Sequence, residues 1–387
     1  MTTKLNAKEK KKLLDKAMGA INKKAGRTVI GRATDPEIAD LVTISFLPTP
    51  SVEMNVMLGG GFPRGKIIEL FGEHASGKTS MAIETLALEM KNDPDAYWGW
   101  YETEGSFDIE YAKQFDGFDE ERLIIWHVED EGAEKGLDFL EAMIRTGQFS
   151  GIVVNSVAGL TPSAEMAEEM GKQSIALQAR MMSKLMRKIT GICSKNKTTM
   201  LFINQFRTNI GQMFGDPNTT TGGRALSFYA TQRIGMRKVK LEKTDGINEE
   251  EGMKVSARVA KNRVATGNPY KACKYTALYG EGIDTVRGVA LTAIDNEIVE
   301  GGGWVYYPTK DTMVTLADGT EAKWNGKGKF IEYLKANPDF VKQLQNEIEA
   351  KAKQGAIRSD ALDEDEIRAL EQMERDLEDE FGDEDEE

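Results

Sequence analysis

Among 387 residues there are two cysteines and two histidines, and that scarcity removes whole classes of function. Cys193 and Cys273 cannot build the disulfide framework of a small secreted domain. With so few nitrogen and sulfur ligands, a zinc site is excluded as well. No run of about 18 apolar residues occurs, so nothing in the sequence reads as a membrane-spanning helix. The lysine-rich first twelve residues have no apolar stretch behind them and do not read as a secretory signal. Apolar residues make up 40% of the chain, enough to fill a core, and the length suits one large domain with attachments. The expectation is a soluble, cytoplasmic protein.

The net charge of −13 argues at first against nucleic acid. Residues 359–387, however, carry sixteen acidic and two basic side chains, which leaves the body with 47 acidic and 48 basic ones. The acidity therefore belongs to a tail. It reads either as a solvated extension or as a polyanion competing with a phosphate backbone for basic surface on the body.

Residues 7–25 place Leu14, Ala17, Met18 and Ile21 at helical spacing with lysines opposite. A helix this short needs something to dock on. From 65 to 208, apolar runs at 66–71, 97–101, 123–128, 152–154 and 200–203 alternate with helical patterns after Gly77, Phe107, Gly132 and Gln173. Such alternation predicts an α/β fold with a mostly parallel sheet covered on both faces. Residues 206–223 read as a long, glycine-rich loop, with further strands at 232–241, 253–263 and 270–278. The implied domains are 1–40 (helix and linker), 41–283 (core), 284–355 (small α/β domain) and 356–387 (acidic tail).

The strongest motif is Gly72-Glu73-His74-Ala75-Ser76-Gly77-Lys78-Thr79, which has the form G-x-x-x-x-G-K-[ST] between a strand and a helix. Its glycines let backbone N–H groups curl round phosphates, and the helix start adds its positive dipole end. Lys78 supplies charge to the phosphates, and the Thr79 hydroxyl is a magnesium ligand. The motif predicts a nucleoside triphosphate with Mg²⁺ bound here, with Ser80 completing the nucleotide-binding set. His74 occupies a variable loop position, and His127 reads as a satisfied, partly buried side chain.

Hydrolysis needs a group that orients the attacking water, at the carboxyl end of a neighbouring strand. Glu102-Thr103-Glu104 stands there, although two glutamates at a strand end also fit an exposed loop. On the next strand Asn155 replaces the usual aspartate that holds magnesium through water. Its amide oxygen still accepts a hydrogen bond but brings no charge. Gln205 ends the fifth strand where a glutamine can sense a γ-phosphate and pass its presence to the following loop.

These motifs, with Gly60-Gly61-Phe62-Pro63-Arg64-Gly65, Val157-Ala158-Gly159-Leu160-Thr161-Pro162, Ala179-Arg180-Met181-Met182-Ser183, Phe202-Ile203-Asn204-Gln205, Met213-Phe214-Gly215, Gly222-Gly223-Arg224-Ala225-Leu226 and Tyr279-Gly280-Glu281-Gly282-Ile283, closely resemble the RecA family of homologous recombinases over residues 45–340. The resemblance implies an ATP-dependent, head-to-tail helical filament on single-stranded DNA that pairs it with a homologous duplex. It makes Glu104 the catalytic glutamate and Gln205 the γ-phosphate sensor. Asp108, Tyr111 and Tyr279 become adenine contacts, while Lys261 and Arg263 reach the γ-phosphate of the adjacent subunit.

The same resemblance implies two DNA-binding loops, at about 165–180 and 206–223. Arg180, Ser183 and Arg187 match backbone-contacting positions, and their spacing gives them one helical face. Ile175 and Ile210 match base-separating side chains, and Arg207, Gly222, Gly223 and Arg224 complete the second loop. Ser256 replaces an arginine of a secondary duplex-binding surface, while Arg237, Lys238 and Arg258 remain on neighbouring strands. With Asn155, Gly105 and Arg224, such departures fit a divergent, phage-borne member. Two other readings stay open: a ring-shaped helicase on the same core, and a non-hydrolysing DNA-binding filament or regulator.

Overall fold

The computed structural model describes residues 6–128, 132–166, 175–208, 218–220, 222–241, 247–264, 272–316 and 319–353. Ile210 and the acidic tail lie outside the described residues, and Ile175 and Arg207 are described by their backbone alone. The chain forms two units, residues 1–45 and 46–387.

In the first unit, helix α1 (Ala7–Ala25) matches the predicted amphipathic stretch. Asn6 Oδ1 accepts the Glu9 amide at 2.9 Å, and Glu9 Oε2 accepts the Asn6 amide at 3.0 Å. This reciprocal cap satisfies two of the helix's orphan N–H groups. Gly26 ends the helix in the left-handed conformation. No residue of α1 is buried, and Leu13, Leu14 and Ile21 remain exposed. A shorter helix, α2 (Pro36–Val42), follows.

The second unit opens with β1 (Phe46–Leu47), α3 (Val52–Leu58) and β2 (Phe62–Pro63), the two strands pairing antiparallel. Strand and helix then alternate: β3 (Ile67–Gly72), α4 (Lys78–Asn92), β4 (Trp98–Glu102), α5 (Ile109–Ala112), β5 (Leu123–His127) and α6 (Ala133–Thr146). Next come β6 (Gly151–Asn155), α7 (Ser163–Met166), α8 (Ile175–Asn196) and β7 (Thr199–Thr208). These strands lie in the order β5-β4-β6-β7-β3, each pair parallel. After β8 (Asn218–Thr220) and α9 (Arg224–Tyr229), β9 (Gln232–Val239) joins β3 in parallel. An antiparallel extension of β10 (Gly252–Asn262), β11 (Ala272–Leu278) and β12 (Gly282–Ile283) completes the sheet. The sheet is mixed but mostly parallel, as the alternation predicts.

Alternation along β3 feeds two cores. Ile68 and Leu70 pack with Met81, Leu86 and Met90 of α4, while Ile67 packs with residues of α6, α8 and α9 such as Leu140, Met186 and Leu226. Burial on both faces explains why β3, β4 and β6 read as unbroken apolar runs, whereas the edge strand β5 exposes Ile124 and Ile125. A third core gathers α10 (Thr285–Asp295), β13 (Val305–Tyr306), β14 (Lys323–Trp324), α11 (Gly326–Ala336) and α12 (Pro338–Lys353) around Trp324, Phe330 and Leu344. Val52 of α3 also belongs to that core, so this C-terminal piece is not self-contained.

One boundary departs from the sequence reading. β7 runs on to Thr208, and Phe206, Arg207 and Thr208 pair antiparallel with Thr220, Thr219 and Asn218. Part of the expected loop is therefore a hairpin, consistent with the strand preference of its β-branched threonines.

Candidate active site

The turn between β3 and α4 is shaped by backbone conformation. Gly77 (φ +83°) opens α4 without any side-chain cap, which leaves the first-turn N–H groups to bind an anion. Gly72 is required sterically: a Cβ there would meet the Met236 carbonyl oxygen at 2.0 Å. Lys78 reaches into the cradle, donating to Gly72 O at 3.1 Å, Glu73 O at 2.5 Å and Ser76 Oγ at 3.1 Å. Burial pushes its ammonium down to about 8, partly opposed by the nearby Glu104 and Glu73 carboxylates. Thr79 and Ser80 stand half-buried in the first turn of α4, and His74 is exposed.

A cavity of about 280 Å³ adjoins the loop, lined by Ala75, Gly77, Ser80, Tyr111, Tyr279 and Gly280 among others. Tyr111 Oη donates to Ser80 Oγ at 2.9 Å. Asp108 Oδ1 caps α5 by accepting the Glu110 and Tyr111 amides, so it holds Tyr111 in place. Lys238 lies on this rim, 3.4 Å from Tyr279 Oη, and not with Arg237 on the other face. Lys238 and Arg237 are adjacent along β9, so their side chains face opposite ways.

The ends of β4, β6 and β7 converge beside the loop. Glu104 Oε1 accepts Gln205 Nε2 at 2.8 Å and also accepts the Ser156 hydroxyl. Glu102 is buried, taking Trp100 Nε1 at 2.8 Å, Asn155 Nδ2 at 3.1 Å and the Glu104 amide at 2.9 Å. Asn155 is fully buried, and its Oδ1 has no hydrogen-bond partner among the described residues. His127 is exposed where partial burial was expected, but its Nδ1 is satisfied by the Glu102 carbonyl at 2.7 Å. Sequence reasoning passed over Ser156 and the buried role of Glu102, because neither shows before the strand ends meet.

The donor set suits a Mg²⁺-bound triphosphate. Thr79 supplies a hydroxyl, and the partnerless Asn155 oxygen suits a proton from a metal-bound water. Among the described residues no group of three His, Cys, Asp or Glu side chains could hold a metal.

The same strand ends reach the expected DNA loops. Ser156 leads into a turn at Val157–Gly159, and Gln178 Nε2 donates to Val157 O and Leu160 O, both at 3.0 Å. A Cβ on Gly222 would lie 2.8 Å from Val157, and one on Gly223 2.7 Å from Ala179. The start of α8 and the start of α9 are thus neighbours. Arg180 and Arg187 are exposed on α8 and Ser183 is half-buried. Lys184, at i+4 from Arg180, is also exposed and extends this basic face; the spacing that selected Arg180 would have found it. Arg224 opens α9, exposed.

Lys261 and Arg263 sit on the opposite face of the sheet from α4. Lys261 pairs in register with Arg233, and its Nζ donates to Ser227 O at 2.5 Å and Phe228 O at 2.8 Å, at the end of α9. Burial, helped by Arg263 and Arg233, pushes it down to about 8.

Among the described residues no helix is long and apolar enough to cross a membrane. Residues 12–284 match the profile of the RecA N-terminal domain. Proteins named Protein RecA are similar over most of the chain. The one from Corynebacterium urealyticum is 36% identical over 90% of this chain and 88% of its own length. That from Ruminococcus albus is 38% identical over 89% and 81%. That from Streptomyces coelicolor is 37% identical over 89% and 86%.

Proposed function

The chain belongs to the RecA family, and from that premise we propose that it is an ATP-dependent recombinase, filamentous on single-stranded DNA and active in homologous pairing and strand exchange. The observation that carries the reading is the junction of Glu104, Gln205 and Ser156 between the phosphate loop and the two candidate DNA loops.

Each residue then has a task. The loop amides and Lys78 bind the phosphates, Tyr111 and Tyr279 flank the base, and Glu104 orients water and takes its proton. Thr79 and, through water, Asn155 would hold magnesium, which neutralises charge on the phosphate oxygens when bound. Gln205 is hydrogen-bonded to Glu104 and lies on the strand that continues into the β7–β8 hairpin. A γ-phosphate competing for its amide changes the anchor of that hairpin, which is a switch by differential contact. Arg180, Lys184, Arg187 and Arg224 offer charge to a phosphate backbone, so binding is nearly sequence-independent and weakens steeply with salt. Lys261 and Arg263 serve the triphosphate of the next subunit, in an open head-to-tail assembly.

The test is a strand-exchange assay with ATP, single-stranded DNA and homologous or heterologous duplex. Joint molecules are expected with the homologous duplex and ATP only; unwinding of forked DNA without exchange would replace the reading by a helicase.

A further inference from the structure

β3 carries a carboxylate through the middle of the sheet. Glu69 is fully buried, flanked on its own face by Ile67 and Phe71. A charge so placed persists only with close partners. Glu69 Oε1 accepts Asn204 Nδ2 at 2.8 Å, and Oε2 accepts Arg233 Nε at 2.6 Å. Parallel pairing sets Glu69 beside Phe202 of β7 and Arg233 of β9. The guanidinium of Arg233 also lies 4.9 Å from the centroid of the Phe71 ring.

Both partners lead outward. Asn204 Oδ1 accepts the amide of Gln205 at 2.9 Å, so one oxygen of Glu69 is tied to the sensor strand. Arg233 pairs in register with Lys261, whose ammonium closes the end of α9. Helix α9 begins at the Gly222-Gly223 turn beside α8. One carboxylate thus joins the sensor, the arm that bears Lys261 and Arg263, and the helix that follows a candidate DNA loop. Stability alone is a weak reason for it, because apolar residues commonly replace buried ion pairs without loss.

We propose that Glu69 is a positioning residue that locks Gln205 and the Lys261–Arg263 arm into one unit, so that a triphosphate at a subunit's own loop governs the hold on DNA and on the next subunit. This rests on the recombinase reading. The coupling is a free-energy difference between nucleotide states. Its measure is the ratio of affinities of the full chain for a labelled oligo-dT with ATP and with ADP.

Glu69→Gln keeps an acceptor for Asn204 but turns an amide towards Arg233. The expected result is at least a tenfold fall in the ATP-to-ADP ratio, with fluorescent-ATP affinity changed less than threefold. The pair Glu69→Leu with Arg233→Leu should recover melting temperature without recovering the ratio. A Glu69→Gln ratio within twofold of the parent, or recovery of the ratio by the double variant, overturns the inference. Should Glu69→Gln not fold, Arg233→Lys at the more exposed partner carries the same expected fall and the same overturning result. A parent chain that binds ATP but holds DNA equally with ATP and ADP sinks the recombinase reading, and this inference with it.

Discussion

Lys78 in the phosphate loop and Lys261 at the end of β10 share one chemistry and differ in how they are built. Each donates to backbone carbonyls, and each is pushed by burial down to about 8. Lys78 is placed by eight contiguous residues whose glycines dictate the turn. Lys261 is placed by the register of β9 against β10 and by the end of a helix thirty-odd residues earlier. A local device can be read from a short string, whereas a non-local one needs the sheet. The two also face different nucleotides in the proposed filament, the subunit's own and its neighbour's, and that is where the comparison can be broken.

The largest effect belongs to the residue between these regions. Glu104→Gln keeps an oxygen for Gln205 and Ser156 but removes the base, so ATP turnover should fall by about 10²–10⁴-fold. ATP-dependent binding of single-stranded DNA should persist; joint loss of both activities would mean that Glu104 holds the site together and does not act on water.

Next come the two lysines themselves. Lys78→Met should cost about 2–5 kcal/mol of triphosphate affinity, at least thirtyfold, in a fluorescent-nucleotide titration without DNA. Lys261→Met should leave that titration unchanged, yet lower DNA-stimulated turnover by about tenfold or more, since one charge-assisted contact contributes about 1.5–3 kcal/mol. If both variants lose nucleotide equally, Lys261 serves its own loop and the filament assignment fails.

Protonation sharpens the contrast. Because Lys78 titrates near 8 before a phosphate arrives, its charge is present below that pH and is lost above it. A bound triphosphate favours the charged form, so affinity should be flat below pH 8 and fall by up to about tenfold per unit above it. Lys78→Met should remove that slope, and Lys261→Met should keep it.

How much of this was legible follows the same line. Gly72 to Thr79 announce both the turn and its ligand, and the apolar runs of β3, β4 and β6 give parallel strands because each of these three is buried on two faces. Asn204 lay inside a quoted motif without a role, since its partner Glu69 is 135 positions away in sequence. Nothing in the run Ile67-Ile68-Glu69-Leu70-Phe71 shows whether Glu69 faces solvent or an arginine. Arg237 and Lys238 read together as adjacent basic residues, yet neighbours along a strand face opposite ways. The stretch 206–223 reads as loop because of its four glycines, although Phe206–Thr208 pair with Asn218–Thr220. The general lesson is physical: contiguous geometry is visible in sequence, and cross-strand polar pairing is not.

The smallest expected effect tests the one substitution that touches the metal. Asn155 donates to Glu102 at 3.1 Å and its oxygen has no partner among the described residues, so Asn155→Asp both adds charge and sets two carboxylates against each other. The added charge should lower the Mg²⁺ concentration for half-maximal ATP hydrolysis severalfold, as carboxylates bind the ion's water shell more strongly than an amide does. The repulsion has the opposite consequence for the fold. With no counter-charge between the two carboxylates, the melting temperature should drop below the parent's. A lower Mg²⁺ midpoint with no loss of melting temperature would mean that Glu102 turns away from residue 155. No change in either would remove Asn155 from the metal's surroundings.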